Sequence, residues 1–185
     1  MKLARITLKA CALAMLVHSL PVMAQDADKQ KLTEIEKELA AQATPSPQTA
    51  ALMKKYLYDG NGVQLTGMGR VGTLPKARIV ELYTKPAPSD PSVKSSATIS
   101  GIEVELYGDA AVVSYKLTNT DTGHKDPGLN TTDHFGCLDT FVKRNGQWYA
   151  ISNACSPAAP LPPSEWEAVK KARMQEPKDV QQAYH

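Results

Sequence analysis

The sequence predicts an α+β fold in which helices come first and an antiparallel sheet follows. Three observations support this prediction. Apolar residues recur at helical spacing across 28–84, whereas residues 99–155 alternate between apolar and polar side chains. An Asn145-Gly146 pair separates the last two alternating runs, a strong hairpin signal because both residues tolerate positive φ. Segregated helices and hairpin-linked strands are typical of α+β rather than βαβ architecture.

The first 24 residues have the anatomy of a secretory signal peptide. A basic start (Lys2, Arg5, Lys9) precedes a short apolar run, CALAMLV, and a predicted cleavage site after Ala24. The apolar run is too short to span a membrane. We therefore expect a periplasmic or secreted protein with no membrane attachment after cleavage. Removing residues 1–24 leaves 18 Lys and Arg against 19 Asp and Glu, a net charge of −1 that does not indicate nucleic-acid binding.

Two helices are predicted at the start of the mature chain. Leu32, Ile35 and Leu39 form a narrow apolar stripe on the first, which covers residues 28–43. The second begins at Ser46-Pro47, where serine can cap the helix and proline suits the first helical position.

A short bent strand or hairpin at 63–71 precedes the third predicted helix. This helix begins with Thr73 as its cap and stops before Pro86. The Pro- and Ser-rich residues 86–97 are predicted to form an exposed loop.

Four strands are predicted in the second half of the domain. Two cover 99–107 and 111–117 and are joined by a turn at Gly108-Asp109, and a polar connection follows them. The second of these strands is apolar on both faces, which predicts a central position. The last two flank the Asn-Gly turn, at about 132–143 and 147–155.

The C-terminal residues are predicted to form an extension to a domain that covers 25–156. Residues 157–185 contain a Pro/Ala linker and then a helix at 164–175, for which Ser164 and Glu167 form a capping box. We expect the tail after this helix to be loosely ordered.

Cys137 and Cys155 are the two cysteines of the mature chain, and an oxidising compartment favours a disulfide between them. The register decides whether they meet. A two-residue turn that pairs Arg144 with Gln147 places Cys137 opposite Ala154. A three-residue loop, or one bulge, pairs Arg144 with Trp148 and places the cysteines directly opposite each other.

Several segments resemble the NTF2-like superfamily, more closely its SnoaL-like or DUF4440 branch. They are Leu57-Tyr58-Asp59 before a glycine-containing bend, VELYTK after it, ELYGDAAVV at 105–113, and the final hairpin FVKRNGQWYAIS. The resemblance implies a strongly curved antiparallel sheet wrapped round the helices, a cone with a pocket at its open end. It also implies a homodimer through the outer face of the sheet.

Isomerases of this kind place an acidic general base on the bend after the second helix. The comparable residues here, 65–69, contain no carboxylate. The remaining catalytic candidates are Asp139 and Asp133, which share one face of the predicted strand at 132–143. Asp139 becomes a pocket carboxylate if that face points into the cone. The sequence favours the alternative, in which Asp139 lies at the rim or pairs with Lys143 or Arg144.

Four aromatic residues are candidates to line an apolar pocket, although such residues are more often simply core: Tyr56, Tyr115, Phe141 and Trp148. We expect no metal site, because the mature chain has only three histidines and no H-x-H or C-x-x-C spacing. We also expect no cofactor, since the G-x-G-x-x-G spacing at 67–72 lacks the βαβ context of a dinucleotide site.

The sequence therefore favours an exported domain that binds a small apolar molecule, or acts as an accessory module, without catalysis. One alternative is an isomerase, dehydratase or cyclase that uses a pocket carboxylate and a tyrosine. The other is a protein-interaction module with a filled cone. An acid beside a tyrosine in a mostly apolar cavity would favour the enzyme, and a cavity without that pair would favour the binder.

Overall fold

A computed structural model describes the backbone of residues 7–41, 46–67, 69–84, 92–160 and 162–184, with side chains from Ala24 onward. Five α-helices lie in these ranges: α1 (Thr7–Ala40), α2 (Pro47–Tyr56), α3 (Lys76–Thr84), α4 (Pro163–Gln175) and α5 (Lys178–Ala183). The six strands are β1 (Val63–Gly67), β2 (Arg70–Leu74), β3 (Lys94–Tyr107), β4 (Ala110–Thr122), β5 (Thr132–Arg144) and β6 (Gln147–Pro157).

The strands form one curved sheet in the order β2-β1-β6-β5-β4-β3. Strands β3 to β6 form an antiparallel meander, and β1 joins it by parallel pairing with β6. The predicted α+β fold class is confirmed, as is the central position of β4 between β3 and β5.

The core lies between the concave face of the sheet and the first three helices. It includes Leu32 and Ile35 of α1, Val113 of β4, and Phe141 of β5, each no more than 1% exposed. The predicted apolar stripe of the first helix is therefore confirmed. Its third member, Leu39, is partly buried against the same core.

The predicted signal peptide lies mostly outside the described side chains, so it stays a prediction. Within the described residues, no helix is both long and apolar enough to span a membrane. The predicted helix at 28–43 corresponds to the C-terminal half of α1, which ends at Ala40, and residues 42–45 lie outside the described ranges.

The β5–β6 hairpin has the turn of one predicted register and the opposed cysteines of the other. The predicted pairing of Arg144 with Trp148 is wrong, because Trp148 pairs with Lys143. Arg144 pairs with Gln147 across a two-residue turn, and Asn145 and Gly146 both have positive φ (52° and 77°). The register then shifts beside Thr140, because Ile151 forms a bulge in β6.

The bulge advances one strand by one residue, so Cys137 lies directly opposite Cys155. Their Cα atoms are 4.2 Å apart and the sulfurs are bonded. The predicted disulfide is therefore present in the structure. It forms although the hairpin has the short two-residue turn.

Two predictions about the middle of the chain are wrong. Thr73 is not a helix cap, because it pairs with Gln64 in the β1–β2 hairpin and α3 begins only at Lys76. Residues 94–97 are not loop, because β3 begins at Lys94 and continues the pairing with β4 as far as Thr122. Residues 85–91 of the predicted loop lie outside the described ranges.

The C-terminal tail is ordered, which also differs from the prediction. Val180 of α5 is 5% exposed, and Tyr184 forms an isolated bridge to Gly72 of β2. Glu176 accepts two hydrogen bonds from Arg70 Nη1, at 2.9 and 3.0 Å. A Cβ atom added to Gly72 would lie 2.5 Å from a backbone oxygen of α5, so this close approach requires glycine.

The predicted capping box of α4 does not form. The residue at the N-cap is Pro162, with no side-chain cap hydrogen bond, and Ser164 lies inside the helix. Proline at the start of the helix sets this boundary two residues earlier than a cap at Ser164 would.

Candidate functional site

A cavity of about 280 Å³ lies between the concave face of the sheet and the helices. Most of its wall is apolar. The apolar side chains come from α1, α2, β1 and α3 on one side and from β3 and β4 on the other: Leu39, Met53, Leu57, Val63, Leu65, Ile79, Ala97, Ile99 and Leu117. A cavity is therefore present in the cone, which is not completely filled by its own side chains.

Two carboxyl groups, those of Glu36 and Asp139, lie together in this wall. Glu36 is 2% exposed and Asp139 is 5% exposed. Glu36 follows Ile35 on α1 and lies one turn after Leu32, so the apolar face of the helix carries it inward. Asp139 alternates with Cys137 and points to the same face of β5 as the disulfide. We call Glu36 and Asp139 the acid pair.

Strand register supplies the hydrogen-bond donors for Asp139. Asn153 is its direct partner across the β5–β6 ladder, and Asn153 Nδ2 donates to Asp139 Oδ1 at 2.6 Å. From β4, Tyr115 Oη donates to Asp139 Oδ2 over a long 3.5 Å. The carboxyl of Glu36 is also within hydrogen-bonding reach of Asp139.

Burial raises the pKa of both acids. Desolvation raises the pKa of Glu36 to about 9, and the negative charge of Asp139 acts in the same direction. Desolvation raises the pKa of Asp139 to about 7, although the hydrogen bonds from Asn153, Glu36 and Tyr115 oppose it. At neutral pH the acid pair therefore holds a proton, and a single proton can bridge the two carboxyls.

Two tyrosine hydroxyls also lie in the wall, together with the polar side chains of Asn119 and Ser152. Burial, together with the nearby acid pair, raises the pKa of Tyr115. Burial also raises the pKa of Tyr83 on α3. Both tyrosines therefore remain neutral hydrogen-bond donors at physiological pH.

The structure places two of the predicted site residues, Asp139 and Tyr115, in the cavity wall. The expectation that Asp139 lies at the rim or pairs with Lys143 or Arg144 is wrong, because Asp139 is buried and Arg144 donates to the backbone oxygen of Lys143. Lys143 Nζ instead contacts both carboxylate oxygens of Asp28, at 2.7 and 2.8 Å. Asp133 is half-buried near the start of β5, where it accepts a hydrogen bond from Thr131, and it does not line this cavity.

The other three aromatic candidates belong to the core rather than to the cavity wall. Phe141 is fully buried and Trp148 is 4% exposed, and neither lines the cavity. Trp148 Nε1 donates to Asp28 at 3.0 Å, and Tyr56 Oη donates to Glu38 at 2.6 Å. The indole nitrogen of Trp148 and the hydroxyl of Tyr56 therefore form hydrogen bonds that connect β6 and α2 to α1.

Sequence reasoning missed Glu36 and Asn153. The signal for Glu36 is its spacing: it lies four residues after Leu32 and three before Leu39, within the apolar stripe. Asn153 carries no such local signal, because the bulge at Ile151 decides which residue faces Asp139. Across the described ranges, no three His, Cys, Asp or Glu residues cluster as metal ligands would.

No protein-family sequence model matches this chain. A search of curated protein sequences also finds no match. Solved structures do match: an NTF2-like superfamily protein from Salmonella enterica serovar Typhimurium is 20% identical, with a TM-score of 0.57. That match covers 76% of this chain and 98% of the Salmonella protein.

Two further structures are similar over most of their own length. A candidate dehydratase of the NTF2-like family from Streptomyces avermitilis is 14% identical, covering 74% of this chain and 99% of its own, with a TM-score of 0.55. The CaMKII hub of S. rosetta is 15% identical, covering 70% and 95%, with a TM-score of 0.52. The SnoaL-like or DUF4440 branch is not singled out by these structures and stays a prediction. Likeness at this level of identity shows the fold, and this chain therefore has the NTF2-like fold.

Proposed function

We propose that this chain is an exported NTF2-like domain that binds a small molecule with an apolar body. The observation that supports this best is the cavity itself, in which apolar walls surround a few convergent polar groups at one place. Ligand sites commonly have this composition, and about 280 Å³ is near the lower end of their usual volumes. The same cavity argues against an interaction module with a filled cone.

Native mass spectrometry of protein purified from its own host tests this proposal. We expect a small molecule to be retained and to be lost in an Ala97→Phe variant, because Ala97 lines the cavity and a phenyl ring would occupy it. An Ala51→Phe variant is the matched control, since Ala51 is exposed on α2. A ligand retained equally by both variants would place binding elsewhere and overturn the proposal.

A second candidate function, acid–base catalysis, is favoured by the acid pair beside Tyr115. A carboxyl with a pKa near neutrality can accept a proton from a substrate, and a neutral acid or tyrosine can donate to a developing oxyanion. Asp139 would be the base, with Glu36 or Tyr115 as the donor. This arrangement fits an isomerase, dehydratase or cyclase, and the Streptomyces structure supports that class by likeness of fold alone.

Hydrogen exchange into the ligand separates the two candidates. If the retained molecule is incubated in D₂O with wild-type protein, an acid–base enzyme should introduce deuterium at a carbon atom. The Asp139→Asn variant should not, although it can still bind. Deuterium incorporation at the same rate with the variant would exclude Asp139 as the base, and no incorporation with either protein would leave binding without catalysis as the function.

Export and dimerisation complete the proposed function. The signal anatomy of residues 1–24 supports cleavage after Ala24, and N-terminal sequencing of protein from its host tests it. The family resemblance implies self-association through the outer face of the sheet, and the likeness of fold to a CaMKII hub is consistent with self-association. Sedimentation of the mature protein measures that state directly, and a monomer at micromolar concentration would contradict it.

A further inference from the structure

Hydrogen-bond acceptors outnumber donors at the acid pair. The two carboxyls present four oxygens. Apart from the contact between the two carboxyls themselves, the donors are a short hydrogen bond from Asn153 and a long one from Tyr115, both to Asp139. Glu36 Oε1 is buried and has no hydrogen-bond partner among the described residues. An unpaired buried acceptor is costly, so this end of the cavity is incomplete without a donor.

The cavity also lacks a compensating positive charge. Its described lining residues include no lysine, arginine or histidine. Other partly buried carboxylates in the molecule do have cationic partners, such as Asp28 with Lys143 and Glu176 with Arg70. Among the described residues, no ion pair involves Glu36 or Asp139, although these two acids are more deeply buried. Buried acids without a cationic partner stay protonated to avoid an uncompensated charge.

We propose that the cavity takes a protonated amine with an apolar body, whose ammonium group replaces the proton held between Glu36 and Asp139. The proposal rests on the small-molecule binding proposed above and names the ligand class. An ammonium group supplies three donors and one positive charge, which are the two things this end of the cavity lacks. Its hydrocarbon part would lie against the apolar wall formed by α1, α2, β1 and α3.

The other groups that face the acid pair do not compete with this exchange. Tyr115 of β4 and Tyr83 of α3 are the tyrosines in the cavity wall, and burial raises the pKa of each, so they stay neutral. From β6, Asn153 does not ionise and Cys155 is bonded to Cys137. The lining residues of α2 and β1 are apolar. Binding of an ammonium ion should therefore release a proton from the acid pair to solvent.

Three probes with one hydrocarbon body separate the possibilities: hexylamine, hexan-1-ol and hexanoate. Isothermal titration calorimetry at pH 8 should show hexylamine binding at least about tenfold more tightly than hexan-1-ol, because its hydrogen bonds are charge-assisted. Hexanoate should bind most weakly. The comparison uses wild-type protein alone, so it does not depend on any variant folding correctly.

The pH dependence gives a second readout. Hexylamine affinity should rise by up to about tenfold per pH unit for each proton released. The rise should level off as the free acid pair loses its proton, near the pKa of about 9 of Glu36, and affinity should fall as the amine deprotonates near about pH 10.4. Hexan-1-ol affinity should not follow this trend. Titration in two buffers of different ionisation enthalpy should show the released proton directly.

Glu36→Gln should reduce the preference for amine over alcohol, whereas Glu34→Gln should keep it, because Glu34 is exposed on the same helix. If hexan-1-ol binds as tightly as hexylamine at pH 8, or if the affinity for hexylamine does not change with pH, the amine proposal is overturned. The proposal of small-molecule binding is not affected by either result. If none of the three probes binds, both proposals are overturned.

Discussion

The acid pair should make the folded protein less stable as the pH rises. The pKa of Glu36 is about 9 in the folded state against an ordinary value of 4.5, so the folded state binds a proton that the unfolded state has lost. Stability falls with pH wherever the folded state binds more protons. The decline therefore begins near pH 4.5, continues through neutrality and ends as the folded protein itself loses the proton.

The size of the effect follows from proton linkage. One extra proton in the folded state changes the free energy of unfolding by about 1.4 kcal/mol per pH unit. Between pH 5 and pH 7, Glu36 alone should lower it by about 2–3 kcal/mol. Asp139 acts with the same sign up to its pKa of about 7. Asp28 has a lowered pKa and acts oppositely, but only as the pH falls below about 4.

Urea unfolding at pH 5, 6, 7 and 8 measures this dependence. Wild-type protein should lose at least about 2 kcal/mol between pH 5 and pH 7. Glu36→Gln should lose much less, because glutamine has a similar shape, can still donate to Asp139 and does not ionise. The exposed Glu34→Gln variant should keep the wild-type slope.

Two outcomes would refute this reasoning. A wild-type stability that stays level or rises between pH 5 and pH 8 would mean that the buried acids are ionised in the folded state. A Glu36→Gln variant that keeps the full slope would show that the proton is not held by Glu36. The urea m-value must stay constant across the series, because a change would indicate a different unfolded ensemble.

Three further predictions concern the elements around the cavity. Replacing Cys137 and Cys155 by alanine should lower the free energy of unfolding by about 3 kcal/mol, because the bond closes a short loop; reductant should shift wild-type urea unfolding but not that of the double variant. Asp28→Asn should cost about 1–3 kcal/mol by weakening charged contacts that join α1 to the β5–β6 hairpin, and an unchanged thermal midpoint would contradict it. Gly72→Ala should displace α5 and speed its amide hydrogen exchange, whereas Gly136→Ala, where nothing lies within 4 Å of the added Cβ, should not.

Local signals predicted most of the sheet correctly. The alternation of β3 and β4, the turn at Gly108-Asp109 and the Asn145-Gly146 hairpin each depend on a few neighbouring residues. The register beyond the turn could not be predicted in the same way. The bulge at Ile151 has no turn residue or glycine to announce it, and packing over the whole hairpin decides it.

The ordered C-terminal tail shows the opposite case, in which contacts distant in sequence decide a local structure. Helix α5 is short and mostly polar, so its composition alone does not predict a stable helix. Its partners are Arg78, which binds Asp179 through two nitrogens at 2.6 and 3.0 Å, and Gly72. Neither could be assigned to the tail before the β1–β2 hairpin and α3 were placed.

The candidate site was predicted in part for the same reason. Strand alternation made Asp139 a candidate pocket carboxylate, although the sequence favoured a position at the rim or a pair with Lys143 or Arg144. Tyr115 shares the face of Asp139 through the β4–β5 register. Glu36 was overlooked because a glutamate is ordinarily assigned to the solvated side of a helix. Its neighbours in the apolar stripe, Leu32 and Ile35, are buried, and position 36 lies on the same face of the helix, toward the core.

The cavity, rather than the fold, accounts for the acid pair. A leucine at position 36 would continue the apolar stripe of α1, and Asp139 lies between inward-facing Cys137 and Phe141 on β5. Packing does not require an acid at position 36 or at position 139. Each buried carboxyl lowers the free energy of unfolding at neutral pH. Perturbed acids in a cavity without a cationic partner are typical of functional sites. The residues that weaken the fold are therefore the ones from which the ligand can be inferred.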